Sequence, residues 1–186
     1  MNWRKKGGTA AILSGLVFII FTAIAVLNYP DYSPYTTYLS DLGVGPTAIF
    51  FNVGLVVAGL LGLVLAAGVY QIRSNICVVG TFLLLFTNIA LMEIGIFSEN
   101  FGLSHTFMSW TFFFFATFML FVVGTGIAKT EKSRTGYITI LLGVIIVVQF
   151  LILGGAHPIT EFIAVALIIL WSFLIGLYLI KTSERK

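Results

Sequence analysis

The sequence has very few charged side chains. Only 9% of its residues are Asp, Glu, Lys or Arg, whereas 59% are hydrophobic, and a soluble domain carries roughly 25% charged residues. A water-soluble globular fold is therefore excluded, because so few charges cannot cover a surface in contact with water. The net charge of +3 is explained by membrane topology, so no nucleic-acid partner is expected.

Cysteine and the common catalytic motifs are also scarce. Cys77 is the only cysteine, which excludes a disulfide framework within one chain. The sequence contains no phosphate-binding Walker loop, no dinucleotide fingerprint, no Gly-x-Ser-x-Gly elbow and no Cys-x-x-Cys pair. Enzyme classes that depend on these motifs have no support in the sequence.

What the sequence has instead is six long apolar stretches. About 20 apolar residues cross a bilayer once as a helix, and a helix satisfies its own backbone hydrogen bonds in lipid. We therefore predict an all-α fold, a six-transmembrane-helix bundle that forms one domain over residues 1–186. The predicted spans are residues 8–27, 48–70, 76–97, 107–128, 137–153 and 159–180.

All ten Lys and Arg residues fall on one side of the predicted spans. They precede the first span, follow the sixth, or lie in the second-to-third and fourth-to-fifth connections. Positive charge accumulates in cytoplasmic loops, so both termini are expected in the cytoplasm and the protein in the cell membrane. The start of the chain also resembles a cleaved signal peptide, but its apolar run is longer than such a segment needs.

Small residues recur at every fourth position of the second span. Such a stripe lets helix backbones approach closely in lipid. We expect it to pack against other helices of the same chain, and a homo-oligomer formed through the stripe is the alternative. The residues are Gly54, Ala58, Gly62 and Ala66.

The expected outer end has no Lys or Arg, yet it holds both histidines and most of the acidic residues. Among them, His157 and Glu161 are four residues apart and share one helix face. Nitrogen and oxygen donors of these types bind zinc or another divalent metal. The predicted metal ligands are Asp41, His105, His157 and Glu161.

Two further residues are candidates for catalysis. Glu93 would be an ionisable residue about one turn inside the membrane, and such residues are functional candidates by default; a hydrogen-bonded structural glutamate is the alternative. Ser40 or Glu93 would assist a metal-activated water in hydrolysis. A haem between His105 and His157 is a second cofactor hypothesis. His157-Pro158 also has the form of an ordinary helix start, which needs no metal.

The first outer loop is rich in tyrosine, with one at every third residue from Tyr29 to Tyr38. Aromatic rings favour the membrane interface, so this loop is expected to lie across the mouth of the bundle. It would serve as a lid over a lipid-accessible cavity or as a plain aromatic belt. The predicted binding residues are Tyr35, Tyr38, Asn52 and Gln149.

Three blocks of the chain resemble the uncharacterised prokaryotic membrane proteins catalogued as domain of unknown function 998. The blocks are Tyr38-Leu39-Ser40-Asp41-Leu42-Gly43 with Phe51-Asn52-x-Gly54, then Gly95-Ile96-Phe97 with His105, then His157-Pro158 with Glu161 and Trp171. The resemblance implies a six-helix polytopic protein and no particular activity. A looser similarity links the chain to membrane hydrolases typified by alkaline ceramidases, which have a seventh helix and a His where Glu161 stands.

We therefore expect a small multi-pass membrane protein whose outward-facing polar cavity binds a lipid-like or amphipathic small molecule. The enzymatic version is a metal-dependent membrane hydrolase, and membrane lipids are the expected partners. A transporter and a membrane assembly factor are the non-enzymatic alternatives. A transporter often shows interrupted helices and inverted repeats, which are not evident here.

The basic residues generate a topology prediction. Reporters fused after residue 186 or inserted between Ser74 and Asn75 should be cytoplasmic. Reporters inserted within residues 28–47 or 98–104 should be external, because those loops carry no Lys or Arg. Paired alkaline phosphatase and fluorescent-protein fusions measure this, and an external C-terminus would contradict the six-helix topology.

Overall fold

Each apolar stretch forms one continuous helix. The structure, a computed structural model, describes residues 2–184. All six helices are long and apolar enough to cross a membrane, which confirms the predicted six-helix fold, and no strand occurs within residues 2–184. The helices are α1 (Trp3–Leu27), α2 (Ala48–Tyr70), α3 (Asn75–Ile96), α4 (Leu103–Glu131), α5 (Arg134–Ile152) and α6 (Pro158–Ser183).

Two helices extend several residues beyond the apolar stretches that predicted them. α1 begins at Trp3 because the Asn2 side chain caps it, accepting the Lys5 N–H at 3.2 Å. α4 continues to Glu131 and stops where Lys132 adopts a left-handed backbone with φ of 48°. Helix ends are set by such capping groups, whereas the apolar pattern reports only the part in contact with lipid.

Consecutive helices pack side by side, and α1 packs against α6 to close the ring. The two ends of the described chain therefore meet, and Asn2 Nδ2 donates to the Ser183 carbonyl at 3.1 Å. We call this end, where α1 begins and α6 ends, the basic end, because it holds every Lys and Arg of residues 2–184. The opposite end, with connections 28–47, 97–102 and 153–157, is the acidic end. The cytoplasmic position of the basic end stays a prediction.

The small-residue stripe of α2 faces the neighbouring helices of the same chain. A Cβ added at Gly54 would lie 2.6 Å from the Cβ of Phe21 on α1, and one added at Gly62 would overlap the Asn88 side chain on α3. Ala58 and Ala66 are buried as well. The stripe thus serves packing within the bundle, and the homo-oligomer stays a prediction.

Glycines also bring α1 close to its two neighbours at the basic end. A Cβ at Gly7 would lie 2.6 Å from the Cα of Gly68 on α2, and a Cβ at Gly8 would lie 2.6 Å from the carbonyl oxygen of Gly176 on α6. Neither position has room for a side chain. α1 is therefore held tightly between α2 and α6 at this end.

A buried ion pair joins three helices at the basic end. Arg4 on α1 is only 5% exposed, and its Nη2 donates to both carboxylate oxygens of Glu131 on α4, at 2.7 and 2.6 Å. The Tyr178 hydroxyl on α6 donates to the same carboxylate, and the Arg4 guanidinium lies 5.7 Å from the centre of the Tyr178 ring. Arg4 is therefore a packing residue as well as a topology signal.

This cluster generates a stability prediction. Arg4→Ala should lower the thermal unfolding midpoint in detergent, by the equivalent of about 3 kcal/mol, because it removes the guanidinium that pairs with the half-buried Glu131 carboxylate. Lys5→Ala is the matched control, since Lys5 is an exposed cation one position away and its loss should change the midpoint little. Equal midpoints for the two variants would show that the ion pair does not stabilise the bundle.

Candidate functional site

The first acidic-end loop, residues 28–47, folds back onto the bundle. Its short 3-10 helices, Ser40–Gly43 and Gly45–Thr47, lead directly into α2. Leu39 and Leu42 are buried in the apolar core of the half of the bundle next to the acidic end, which we call the acidic half. Asn52, one turn into α2, donates to the Gly43 carbonyl at 3.0 Å. The loop is therefore anchored by both apolar burial and hydrogen bonds.

Glu161, in the first turn of α6, holds this loop from the other side. Its Oε2 accepts the backbone N–H of Leu39 at 2.7 Å. The Tyr38 hydroxyl, on the adjacent residue, donates to the Ala156 carbonyl just before α6 at 3.2 Å. A carboxylate is favoured at a helix N-terminus, so Glu161 serves the helix and the loop together.

Three carboxyl groups from three acidic-end segments lie near one another: Asp41, Glu99 and Glu161. Asp41 Oδ2 accepts the Tyr38 N–H at 2.8 Å, and the Asp41 and Glu99 side chains share a hydrogen bond. Burial, that hydrogen bond and the charges of Asp41 and Glu161 together raise the pKa of Glu99 to about 7. Glu99 is therefore protonated for part of the time near neutral pH.

Tyr32 lies in the field of the same carboxylates. Burial, followed by the charges of Glu161 and Asp41, raises the pKa of its hydroxyl to about 12. This hydroxyl is buried and has no hydrogen-bond partner within residues 2–184. It is a neutral donor in a region where the other polar groups are mostly acceptors.

A cavity of about 90 Å³ lies beneath the first acidic-end loop, among α1, α2, α3, α4 and α6. Its walls are mainly apolar and include Phe18, Phe51, Leu55, Phe112 and Ile168. The polar lining residues are Ser14, Ser40, Ser109, Glu161 and Ser172. Of the residues predicted from sequence to form a site, Ser40 and Glu161 are the ones that line it.

His105 is buried and uses both ring nitrogens within the protein. Nδ1 lies 2.9 Å from the Phe97 carbonyl oxygen, and Nε2 lies 3.3 Å from the Ser109 hydroxyl oxygen. Since a carbonyl oxygen only accepts, Nδ1 carries the proton and Nε2 accepts from Ser109. These two bonds leave His105 no free ring nitrogen for zinc or haem.

The other predicted metal ligands are divided between two environments. Asp41 and Glu161 belong to the carboxylate group, whereas His157 is exposed at the start of α6, where its backbone N–H donates to the Thr160 hydroxyl at 2.8 Å. Within residues 2–184, no group of three or more His, Cys, Asp or Glu side chains is arranged to hold a metal ion. The predicted zinc site therefore has no support in the structure.

The remaining predicted residues do not line the cavity. Glu93 is half-buried one turn before the end of α3. Gln149 donates to the Thr160 carbonyl at 3.3 Å, and its side-chain oxygen is buried without a partner in the described part of the chain. Tyr35 is 75% exposed. Tyr38 and Asn52 position the first loop, as described above.

Three residues near the cavity or the carboxyl groups are not among the predicted site residues: Ser109, Glu99 and Tyr32. Ser109 follows His105 by four positions on a helix, which places the two side chains on one face, so this spacing could have identified the pair. Glu99 begins a single turn of 3-10 helix, which is too short for a periodic pattern. The tyrosines from Tyr29 to Tyr38 recur at every third residue, but this spacing does not predict that Tyr32 is the one that lies near the carboxylates.

Comparison with known proteins gives a family match. No curated protein and no solved structure matches the chain. A family model matches residues 12–178, a range that includes α2 to α5, most of α1 and α6, and the residues of the acidic end. The chain belongs to the family described as "Protein of unknown function (DUF998)".

Proposed function

We propose that this multi-pass membrane protein binds a single-chain amphipathic molecule in the cavity of the acidic half. The polar head would lie at Ser40 and Glu161 and the apolar chain among the phenylalanines below. The observation that carries the proposal is the lining of the cavity, which combines one carboxylate and one loop hydroxyl near the acidic end with apolar walls towards the middle of the bundle.

The size of the cavity supports one chain rather than two. Its lining runs from Glu161 to Ser172 along α6, a depth of about 16 Å from the rise of an α-helix, yet its volume is only about 90 Å³. Such a narrow space suits part of one alkyl chain. A two-chain phospholipid would require the packed helices to separate.

The charges at the acidic end support a neutral or cationic head group. Asp41, Glu99 and Glu161 lie together there, and the end holds no Lys or Arg within residues 2–184. Ionised carboxylates only accept hydrogen bonds, so a hydroxyl or an ammonium group would find partners. A phosphate or carboxylate head group would meet like charge.

The distribution of positive charge supports entry from outside the cytoplasm. With the basic end in the cytoplasm, the acidic end and the first loop face the outer surface of the cell membrane. The ligand would reach the cavity from the outer leaflet, which would make an outer-leaflet lipid or a lipid fragment the substrate or cargo.

Isothermal titration of the protein in nanodiscs, with empty nanodiscs as the blank, tests the proposal with octylamine, octanol and octanoate. We expect saturable one-to-one binding of octylamine and octanol and binding of octanoate that is at least about tenfold weaker. Ala58→Leu should weaken octanol binding by about tenfold or more, because Ala58 lines the cavity and the larger side chain would occupy it.

Ala23→Leu is the matched control, because Ala23 is exposed on α1 and faces lipid in the proposed topology. It should bind octanol as the original protein does. Absence of saturable binding by all three probes, or unchanged octanol affinity in a folded Ala58→Leu protein, would contradict the cavity proposal. Octanoate binding as tight as octylamine binding would contradict the head-group preference alone.

A further inference from the structure

Ser109 makes a different hydrogen bond from the hydroxyl residues near it on α4. Thr106 and Thr111 donate to the carbonyl four residues earlier, at 3.2 and 2.8 Å, which is the usual arrangement for a hydroxyl on a helix. Ser109 instead donates to Nε2 of His105, and it lines the cavity. Ser109 therefore combines a hydrogen bond to an imidazole with a place in the wall of the cavity.

His105 is fixed in the orientation that a general base requires. Its ring is 5% exposed, and the Phe97 carbonyl holds the proton on Nδ1, which leaves the Nε2 lone pair directed at the Ser109 hydroxyl. Nucleophile, base and a third group that orients the base are the elements of nucleophilic catalysis by serine.

We propose that Ser109 is a nucleophile towards carboxylic esters that enter the cavity, with His105 as its general base. This inference rests on the proposed function, because the ester must occupy the same cavity. The substrate class is the ester of a single-chain fatty acid, whose alkyl chain would lie against the apolar walls that Phe112 and Phe113 help to form.

The reaction proceeds in two balanced steps. Ser109 Oγ bonds to the ester carbonyl carbon while its proton moves to His105 Nε2, and the alcohol then leaves with that proton as the ester C–O bond breaks. A water molecule next attacks the acyl-serine and gives its proton to His105. The fatty acid leaves as the bond to Ser109 Oγ breaks, and the proton returns to Ser109.

The Phe97 carbonyl makes slow turnover the expected behaviour. In a Ser-His-Asp triad, the aspartate stabilises the positive imidazolium that forms. A carbonyl dipole in the same place orients the ring but stabilises the positive charge of the imidazolium less than a carboxylate does. A covalent probe is therefore a more sensitive test than steady-state turnover.

The test is labelling of the full-length protein in nanodiscs with an octyl fluorophosphonate, followed by peptide mass spectrometry. A serine that reacts forms an O–P bond and releases fluoride, so the modified residue is identified directly. We expect the label on Ser109, no label in Ser109→Ala, and labelling about a hundredfold slower in His105→Gln. Thr106→Ala, which removes an exposed hydroxyl of the same helix turn, should label as the original protein does.

Octanol binding by titration serves as the independent control for a folded cavity. Octanol binding with no label on Ser109 would overturn this inference and leave the proposed function standing. A label on another residue, or equal labelling rates in His105→Gln and the original protein, would overturn it as well. If His105→Gln fails to bind octanol, its labelling rate no longer tests the role of His105. The inference is then tested by whether the label lies on Ser109 and whether Ser109→Ala loses it. If the original protein neither binds octanol nor takes the label, both proposals fail.

Discussion

The constraint on which this structure depends is that lipid offers no hydrogen-bond partners, so polar groups must be satisfied within the protein or at its two ends. The helices accordingly run without interruption, and their internal polar side chains bond to nearby carbonyls. Asn88 donates to the Leu84 carbonyl at 2.7 Å, and Ser14 donates to the Ala58 carbonyl at 2.9 Å. The same constraint leaves charged groups at the ends of the bundle, and it distinguishes Ser109, whose hydroxyl bonds to the His105 side chain and not to a carbonyl.

The two ends satisfy their charges in different ways. At the basic end, Arg4 and Glu131 neutralise each other directly. At the acidic end no basic side chain is present in the described chain, so backbone N–H groups of the first loop and the hydrogen bond between Asp41 and Glu99 take its place. The pKa of Glu99 rises from 4.5 to about 7 on folding, so the folded state binds more protons within that window. The contribution of Glu99 to the free energy of unfolding is therefore present at low pH and lost as the pH rises towards about 7.

The sequence predicts the helices well because the length and polarity of a membrane span are properties of a continuous segment. It predicts the site only in part. Ser40 and Glu161, predicted as a catalytic residue and a metal ligand, both line the cavity. The partner of His105 is the Phe97 carbonyl, and a backbone acceptor has no residue type that sequence could reveal. Arg4 and Glu131 are 127 positions apart, so no local pattern connects them. Contacts of this kind follow from the arrangement of whole helices.

The shape of α1 explains why the cavity lies in the acidic half. At the level of Gly7 and Gly8, the backbones of α2 and α6 approach the backbone of α1 directly, and the open space near Arg4 and Ser183 lies beyond this contact, at the very end of the bundle. Further along, Phe18 faces Phe51 on α2, with ring centres 6.1 Å apart, and such bulk keeps the backbones separated. The first loop then covers the widened space, held by Glu161 through Leu39. Glu161, which holds the loop in place, is thus also a polar part of the cavity wall. A head group that forms a hydrogen bond to Glu161 therefore competes with the Leu39 N–H for the same carboxylate.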